Sequence, residues 1–431
     1  MDMTTIGIMG VCVMLGLIAL GVPIAFSMAA VGALGTLLLA GLPQALSQIS
    51  LIAWDKGTDF VMVCIPLYIF MGQMVFHAGI AADLFDCVQK WLGRLPGGLA
   101  ITGVMACAAF GAVTGVSVAA VATMGSIIMP EMRKYKYDNK LGTGCLATSG
   151  TLAILIPPSL CMVFYGIMTD TSIGTLFIAG IIPGIILSVL FSVMIYIRCL
   201  INPKLGPVGP SFSWKERFVS LKKLVPVLSI FILVIGSIYG GFCTATEAAG
   251  IGASGILLVA LVMKRLTWEN FKRAAHETGL ISAMVFAIIM GGYFISRFLV
   301  LTEVSTQLVD SIANLNLSPY ILMLLFTVMY LILGCVLDVY GMLILTLPFV
   351  FPIILKLGFD PIWFGIYITV MTEIALVTPP VGVSVYVMAN IAPEVPMEDI
   401  FKGTFPFVAV ALGMIGILMA YPEIALWLTR Q

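Results

Sequence analysis

The chain has 431 residues, of which 61% are hydrophobic and 10% are charged, and its formal net charge is zero. Because soluble domains carry about 25% charged residues, this composition excludes an ordinary soluble protein and indicates an integral membrane protein. We expect membrane lipid around the chain and no nucleic-acid partner.

Long apolar runs recur along the whole sequence. A helix needs about 20 residues to cross the hydrocarbon core, so the runs predict roughly ten or more membrane segments in an all-α polytopic protein. The runs are continuously apolar rather than alternating, which favours helices over a β-barrel. The clearest runs are 6–20, 24–40, 60–76, 224–240, 251–263, 280–295 and 405–428.

Lysine and arginine residues cluster at the ends of these runs, and the positive-inside rule places such loops in the cytoplasm. The clusters are Lys90 with Arg94, the segment MRKYKYDNK at 132–140, Arg198 with Lys204, the group Lys215, Arg217, Lys222 and Lys223, and the group Lys264, Arg265, Lys272 and Arg273.

The stretch 97–130 lies between two basic clusters, so both of its ends belong on the cytoplasmic side. A glycine-rich turn, GAVTGVS (111–117), stands in its middle. Two arms of roughly 15 residues at about 1.5 Å per residue fall short of the hydrocarbon core of roughly 30 Å. The stretch is therefore predicted to be a re-entrant helical hairpin. A helix broken at Pro157 and Pro158 follows it at 141–170.

The same order of features returns later in the chain. LPFVFPIILK (347–356) corresponds to MGSIIMPEMRK (124–134), and EIALVTPPVGVSVYVM (373–388) corresponds to TLAILIPPSLCMVFYG (151–166). Pro130 and Pro352 share an offset (352 − 130 = 222) with Pro157 and Pro379 (379 − 157 = 222). Two landmarks at one offset predict an internal repeat.

The second copy is predicted to have the opposite orientation. The segment 302–318 carries Glu303 and Asp310 but no lysine or arginine, and counting crossings from the basic loop at 264–273 places it outside. The result is an inverted-topology repeat, in which secondary transporters build a ligand site near the bilayer midplane. A count that differed by one crossing would give a parallel repeat.

These features divide the chain into four parts. Residues 1–59 are N-terminal scaffold helices, and 201–278 are central scaffold helices with a cytoplasmic linker. Repeat 1 is 60–200, with a scaffold arm, hairpin 1 at 97–130 and the broken helix at 141–170; repeat 2 is 279–431, with hairpin 2 at 318–356, a broken helix at 362–391 and a C-terminal helix.

The hairpin tips and broken helices carry the candidate chemistry. Non-helical backbone at membrane depth is tolerated only within protein or beside a water-filled cavity. Prolines free the carbonyl groups upstream of them, and such oxygens suit a small hard cation such as Na⁺. The half-helix that begins after a break points its N-terminus inward, which suits an anion.

Hydroxyl and carboxyl side chains gather at the same depths. A serine or threonine in a membrane helix also often bonds to its own backbone, and for Asp338 and Glu373 ion or proton coupling and a neutral structural role both stay open. The candidate Na⁺-binding residues are Thr114, Gly115, Ser117, Thr148, Ser149, Thr151, Ile156, Asp338, Tyr340, Gly341, Thr372, Glu373 and Thr378. The candidate substrate-binding residues are Ser149, Gly150, Pro157, Pro158, Pro379, Pro380 and Val381.

Motifs of membrane-embedded enzymes are absent from the sequence. It contains neither HExxH nor GxxxxGK[ST], which are typical of a zinc protease and of a nucleotide site. We therefore expect no catalytic residues, no cofactor and no metal other than Na⁺, and uphill transport would draw on an ion gradient.

Several ordered motifs together resemble the large membrane subunit of TRAP (tripartite ATP-independent periplasmic) transporters, which belong to the ion-transporter superfamily. The resemblance spans nearly the whole chain. The motifs are IPLYIFMG (65–72), GAVTGVSVAAVATMG (111–125), LATSGTLAILIPPS (146–159), LFIAGIIPG (176–184), GGFCTATEAAGIGA (240–253) and EIALVTPPVG (373–382). Many members have a second small or hydroxyl residue where this chain has Val116, so a ligand at that position would come from the main chain.

The resemblance implies a Na⁺-coupled elevator importer in the bacterial inner membrane. Its substrate would be an organic acid, such as a C4-dicarboxylate, a sugar acid or sialic acid, delivered by a periplasmic substrate-binding protein. A small four-helix membrane subunit is expected as a separate chain, since no helices that could supply it precede Ile6 or follow Trp427. The alternatives are a stand-alone Na⁺/dicarboxylate symporter and a structural or receptor-like protein with static hairpins.

Overall fold

The computed structural model describes residues 2–304, 306–307, 317–335 and 337–430. Asp310, which the sequence predicts to lie on the outside of the membrane, is not among these residues. The described chain is helical and has no strand. Its α-helices are α1 Met3–Ala19, α2 Ile24–Ala40, α3 Leu42–Gly57, α4 Cys64–His77, α5 Ile80–Leu92, α6 Gly98–Thr114, α7 Ser117–Lys134, α8 Asn139–Ser149, α9 Leu160–Thr169, α10 Ile173–Ile201, α11 Trp214–Tyr239, α12 Ala245–Val262, α13 Trp268–Leu301, α14 Pro319–Gly334, α15 Val339–Lys356, α16 Pro361–Ala375, α17 Val383–Ile391, α18 Met397–Ala420 and α19 Glu423–Leu426.

Seven helical segments among the described residues are long and apolar enough to cross a membrane, which confirms the prediction of a polytopic membrane protein. One predicted run is divided: 405–428 is interrupted at Tyr421 and Pro422, where α18 ends and the short α19 begins. A proline has no N–H to continue the helical hydrogen bonds.

Two helical hairpins are present where the sequence predicts them. Hairpin 1 consists of α6 and α7, with 17 and 18 residues, and hairpin 2 consists of α14 and α15, with 16 and 18 residues. At about 1.5 Å per residue each arm is about 24–27 Å long, slightly less than the hydrocarbon core of about 30 Å, although α15 is also one of the seven candidate spans. The lengths agree with re-entrant hairpins.

The helix boundaries repeat at the offset that the sequence predicts. Helices α7 and α15 begin (339 − 117 = 222) and end (356 − 134 = 222) at that offset. The first halves of the broken helices, α8 and α16, begin at it (361 − 139 = 222), and the second halves, α9 and α17, end at it (391 − 169 = 222). The internal repeat is confirmed.

Contacts between the copies show that they run in opposite directions. Near the end of α9, the Tyr165 hydroxyl donates to the Pro361 carbonyl at the start of α16, 2.7 Å away. At the base of hairpin 1, the Arg133 guanidinium donates to the Ile391 carbonyl at the end of α17 and pairs with Glu394. The first broken helix thus ends at the face where the second begins, and the second ends at the face where hairpin 1 has its base. This confirms the inverted repeat. We call the side that carries Arg133 the basic face and the other side the opposite face.

Besides the hairpins and broken helices, the described chain contains α1–α4 and α11–α13, with α13 packed along α2 and α4. The Tyr68 hydroxyl of α4 donates to the Ala245 carbonyl of α12 at 2.8 Å. Helices α8 and α18 approach each other closely at two glycines, since a side chain on Gly144 of α8 would collide with the backbone of Gly403 of α18. How these parts divide into a fixed scaffold and a moving unit stays a prediction.

Candidate ion and substrate site

The tip of hairpin 1 covers the first break. Gly115 has φ +63°, a conformation that glycine adopts without steric cost, and its carbonyl accepts from the Leu160 N–H at 3.4 Å. A Cβ on Gly115 would collide with the Pro158 carbonyl. Both Pro157 and Pro158 are buried, so this break is sealed within the protein.

Part of the first break is satisfied by the chain itself. Proline at 158 removes the donor for the Ile154 carbonyl four residues upstream, and the Ser159 hydroxyl donates to that carbonyl instead. Ser159 also caps α9, accepting from the Met162 N–H at 3.3 Å. The Ile154 carbonyl is thus engaged, and a cation ligand set here has to include other oxygens.

The predicted hydroxyls before the break are buried and bonded locally. Thr148 donates to the Gly144 carbonyl at 2.9 Å, and Thr151 donates to the Thr148 carbonyl at 2.7 Å. The Ser149 hydroxyl is 3.6 Å from the Cys145 sulfur. A hydroxyl that donates one bond keeps its oxygen lone pairs, so these side chains could still ligate a cation.

Glu373 lies beside these threonines. Together with Thr148 and Thr151 it lines a gap too small for a water molecule, whose other walls are apolar. Glu373 is 2% exposed, and neither of its carboxyl oxygens has a hydrogen-bond partner within the described chain. In the sequence Glu373 belongs to the second copy of the repeat, whereas the fold brings it against the first broken helix.

The tip of hairpin 2 is built around Asp338. Its carboxylate accepts from the Gly341 N–H at 3.1 Å and caps α15. The ring of Tyr340 contacts that of Phe164 on α9, with centroids 5.4 Å apart. A side chain on Gly341 would meet Ile24, so this tip lies between the first broken helix and α2.

The second break differs from the first in exposure. Pro379 and Pro380 are exposed and Val381 is 36% exposed, whereas the first proline pair is buried. Helix α17 packs along α7, with Met388 and Ile391 next to Gly125. The second break therefore lies at about the depth of the hairpin 1 tip. Pro379, Pro380 and Val381 are therefore the predicted substrate-binding residues that lie at the surface of the chain.

The remaining predicted residues are placed as follows. The hydroxyls of Thr114, Thr372 and Thr378 donate to backbone carbonyls three or four residues earlier, at 3.1, 2.7 and 2.7 Å. The Ile156 N–H donates to the Leu152 carbonyl at 3.0 Å. Ser117 is buried at the start of α7, and a side chain on Gly150 would touch Val121. The substrate candidates Ser149, Gly150, Pro157 and Pro158 are enclosed in this conformation.

Some polar pairs have no signal in the sequence because their members are far apart in it. His77 Nε2 lies 3.1 Å from a Glu277 carboxylate oxygen, and the Arg297 Nε–H donates to Gln48 at 2.6 Å. At the opposite face, a cavity of about 630 Å³ includes Lys56, Asp59 and Asp170 in its lining.

Two oppositely oriented copies, each with a re-entrant hairpin and a helix broken at mid-depth, define the architecture of a secondary transporter. The matching sequence model is described as "Tripartite ATP-independent periplasmic transporter, DctM component" and spans residues 11–424. The chain belongs to this family. It is therefore a multi-pass transporter permease of the TRAP type and not an enzyme.

Three comparisons show the breadth of the likeness. The chain is 33% identical over 396 residues to the C4-dicarboxylate TRAP transporter large permease protein DctM of Pseudomonas aeruginosa, covering 92% of both proteins. It is 31% identical to the ectoine TRAP transporter large permease protein TeaC of Halomonas elongata, covering 97% of both. The YdaH transporter of Alcanivorax borkumensis shares its fold at 14% identity, with a TM-score of 0.60 over 90% of this chain and 91% of that one.

Proposed function

We propose that this permease imports an organic acid across the bacterial inner membrane by Na⁺-coupled elevator transport. A periplasmic binding protein delivers the acid, and a separate small four-helix subunit completes the assembly. Named relatives include transporters of C4-dicarboxylate, ectoine and sialic acid, which support a small carboxylate-bearing substrate for this chain.

The observation that carries the Na⁺ proposal is the isolated carboxyl group of Glu373. A buried carboxylate without a donor or counter-ion is costly, and intramembrane ionisable groups are functional candidates. A Na⁺ ion between Glu373, Thr148 and Thr151 would compensate the charge with oxygen ligands. The first Na⁺ site, beside the first break, would thus contain a carboxylate. Asp338, Tyr340, Gly341, Thr372 and Thr378 remain candidates for a second Na⁺ site, formed by the tip of hairpin 2 and the residues before the second break.

The organic anion is proposed to bind at the exposed second break. Pro379, Pro380 and Val381 precede the N-terminus of α17, whose partial positive charge favours a carboxylate. The tip of hairpin 1, at about the same depth, offers Gly115 and Ser117. Recognition would then rest on backbone groups and hydroxyls rather than on an arginine.

Uptake into proteoliposomes tests the function. The large subunit, the small subunit and the binding protein encoded beside them are reconstituted together, and uptake of the ligand of that binding protein is measured. We expect uptake to require an inward Na⁺ gradient; full uptake in choline buffer contradicts Na⁺ coupling. Uptake by the large subunit alone would favour the stand-alone symporter.

Two variants test the first Na⁺ site. Removing the hydroxyls in Ser149→Ala with Thr151→Ala is expected to raise the Na⁺ concentration for half-maximal uptake, because oxygen ligands are lost. Thr58→Ala is the matched control, since the Thr58 hydroxyl is exposed and donates only to the Trp54 carbonyl. An unchanged Na⁺ dependence in the double variant would show that the site lies elsewhere.

A further inference from the structure

An aromatic cluster with one arginine lies at the basic face, where α5 ends and α11 begins. The ring of Trp91 meets those of Trp214 and Phe218 edge-on, with centroids 6.4 and 5.7 Å apart. The Arg217 guanidinium lies over the Trp214 ring, 4.9 Å from its centroid. We call these four residues the Trp91 cluster.

Two hydrogen-bond donors of this cluster lack acceptors. The Trp91 indole N–H and the Arg217 Nε–H are buried and have no partner within the described chain. One guanidinium nitrogen of Arg198, near the end of α10 at the same face, is also buried and has no acceptor within the described chain. Because buried donors without acceptors are unfavourable, an acceptor from outside the chain is expected here.

The charges around the cluster favour an anion. The nearby carboxylates of α5 are already used: Asp83 pairs with Arg265 at 2.5 Å, and Asp86 pairs with Lys90 and Lys223 at 2.9 Å each. The Glu216 carboxylate accepts from Ser213 at the start of α11. Cations without a carboxylate partner in the described chain include Arg94 in the loop after α5, Arg198 on α10, and Lys215, Arg217 and Lys222 on α11.

The exposed part of the cluster is apolar and continues into the membrane. Trp214 is 66% exposed and Phe218 is 59% exposed. Farther along α11, Val225 and Ile232 are also exposed. Tryptophan and arginine at the end of a membrane helix lie at the level of the lipid headgroups, so the cluster lies at the depth of the phosphates while the rest of the helix faces acyl chains.

We propose that the Trp91 cluster binds the headgroup phosphate of an anionic phospholipid in the leaflet at the basic face. The Trp91 N–H and the Arg217 guanidinium donate to phosphate oxygens, and an acyl chain lies along Phe218 and Val225. The unpaired cations add attraction for a lipid of net negative charge. Because α5 connects α4 to hairpin 1, the lipid would hold this connection at the membrane surface.

Native mass spectrometry of the delipidated protein tests the proposal. The protein in detergent is titrated with dioleoyl phosphatidylglycerol or with dioleoyl phosphatidylcholine, which have the same chains but differ in net charge. We expect phosphatidylglycerol to be retained preferentially. Trp91→Phe keeps the ring and removes only the N–H, and Arg217→Gln removes the charge; each is expected to lose the preference.

Lys402→Gln is the matched control, because Lys402 is an exposed cation at the same face on α18, and it should keep the preference. Equal retention of both lipids by the wild type, or unchanged preference in Trp91→Phe and Arg217→Gln, would overturn the proposal. Displacement of phosphatidylglycerol by inorganic phosphate alone would also overturn it, in favour of a soluble anion. If Arg217→Gln does not fold, Trp91→Phe decides.

Discussion

At Gly115 the backbone turns with φ +63°, and the space next to its Cα is taken by the Pro158 carbonyl. Gly115→Ala should therefore lower the free energy of unfolding by about 1–2 kcal/mol from backbone conformation alone, with the collision adding to the loss. Thermal unfolding of the purified protein measures the change. The tip of hairpin 1 would separate from the first break.

Gly413→Ala is the control for this substitution. Gly413 lies inside α18 with no atom within 4 Å of the added methyl group, and alanine is favoured over glycine in a helix by up to about 1 kcal/mol. We expect the control to be neutral or stabilising. Equal unfolding temperatures for the two variants would contradict the close contact between Gly115 and Pro158.

Glu373→Gln separates the two roles that the sequence leaves open for this side chain. Glutamine keeps the shape but cannot carry the negative charge, so a carboxylate that ligates Na⁺ would be lost. We expect the Na⁺ concentration for half-maximal uptake to rise about tenfold, which corresponds to about 1.4 kcal/mol. Sodium-dependent uptake into proteoliposomes measures it.

Glu423→Gln controls for the loss of a carboxylate as such, because Glu423 is exposed and pairs with Arg430 near the end of the chain. It should leave the Na⁺ dependence unchanged. If Glu373→Gln also transports with unchanged Na⁺ dependence, Glu373 is a neutral structural group and the first site needs a different ligand.

Helix α5 is held to the basic face by ion pairs, and these predict a pH dependence. Partial burial alone would raise the pKa of Asp86, but the hydrogen bonds from Lys90 and Lys223 outweigh it and hold the pKa of this carboxyl below its usual value. Because the pKa of Asp86 is lower in the folded state, its ion pairs stabilise the folded protein fully above the ordinary Asp pKa of about 3.9. This stabilisation is lost as the pH falls through the folded-state pKa.

Asp86→Asn should therefore increase amide hydrogen exchange in α5 at neutral pH, and the difference from the wild type should shrink as the pH falls below about 4. Asp55→Asn is the control, because Asp55 is exposed and pairs only with its neighbour Lys56. A difference that persists undiminished in acid would show that Asp86 acts through packing rather than charge.

The broken helices and hairpins could be predicted from the sequence because local chemistry determines them. Consecutive prolines remove backbone donors wherever they stand, and Gly115 permits a turn that other residues resist. The burial of the two breaks could not be predicted in this way. Pro157 and Pro379 are equivalent in the repeat, but only the first is covered, because tertiary packing places the Gly115 tip over it.

For the molecule as a whole, the sequence predicts the inverted repeat through the 222-residue offset and the distribution of lysine and arginine. It does not predict which residues of the two copies meet. Glu373 reaches Thr148 and Thr151 because α16 packs beside the first broken helix, and no local pattern records that contact. Candidate sites in such a fold are therefore shared between the copies.

The contact between hairpin 2 and α13 offers a test of elevator movement. Ile344 lies against Gly292, and with Ile295 it lines an apolar cavity between the two elements. In a background without the nine native cysteines, Ile344→Cys is combined with Ile295→Cys, Val285→Cys or Thr302→Cys. Val285 and Thr302 lie about 10 and 15 Å along α13 from Gly292, at about 1.5 Å per residue.

If hairpin 2 slides along α13, the pair with Ile295 should crosslink in the conformation described, and one of the distant pairs should crosslink after Na⁺ and substrate are added. A crosslink in either position should stop uptake, and reduction should restore it, because the covalent bond blocks only the movement. Crosslinking of the Ile295 pair alone under every condition would instead identify a static hairpin, in which substrate passes without displacement of the two elements.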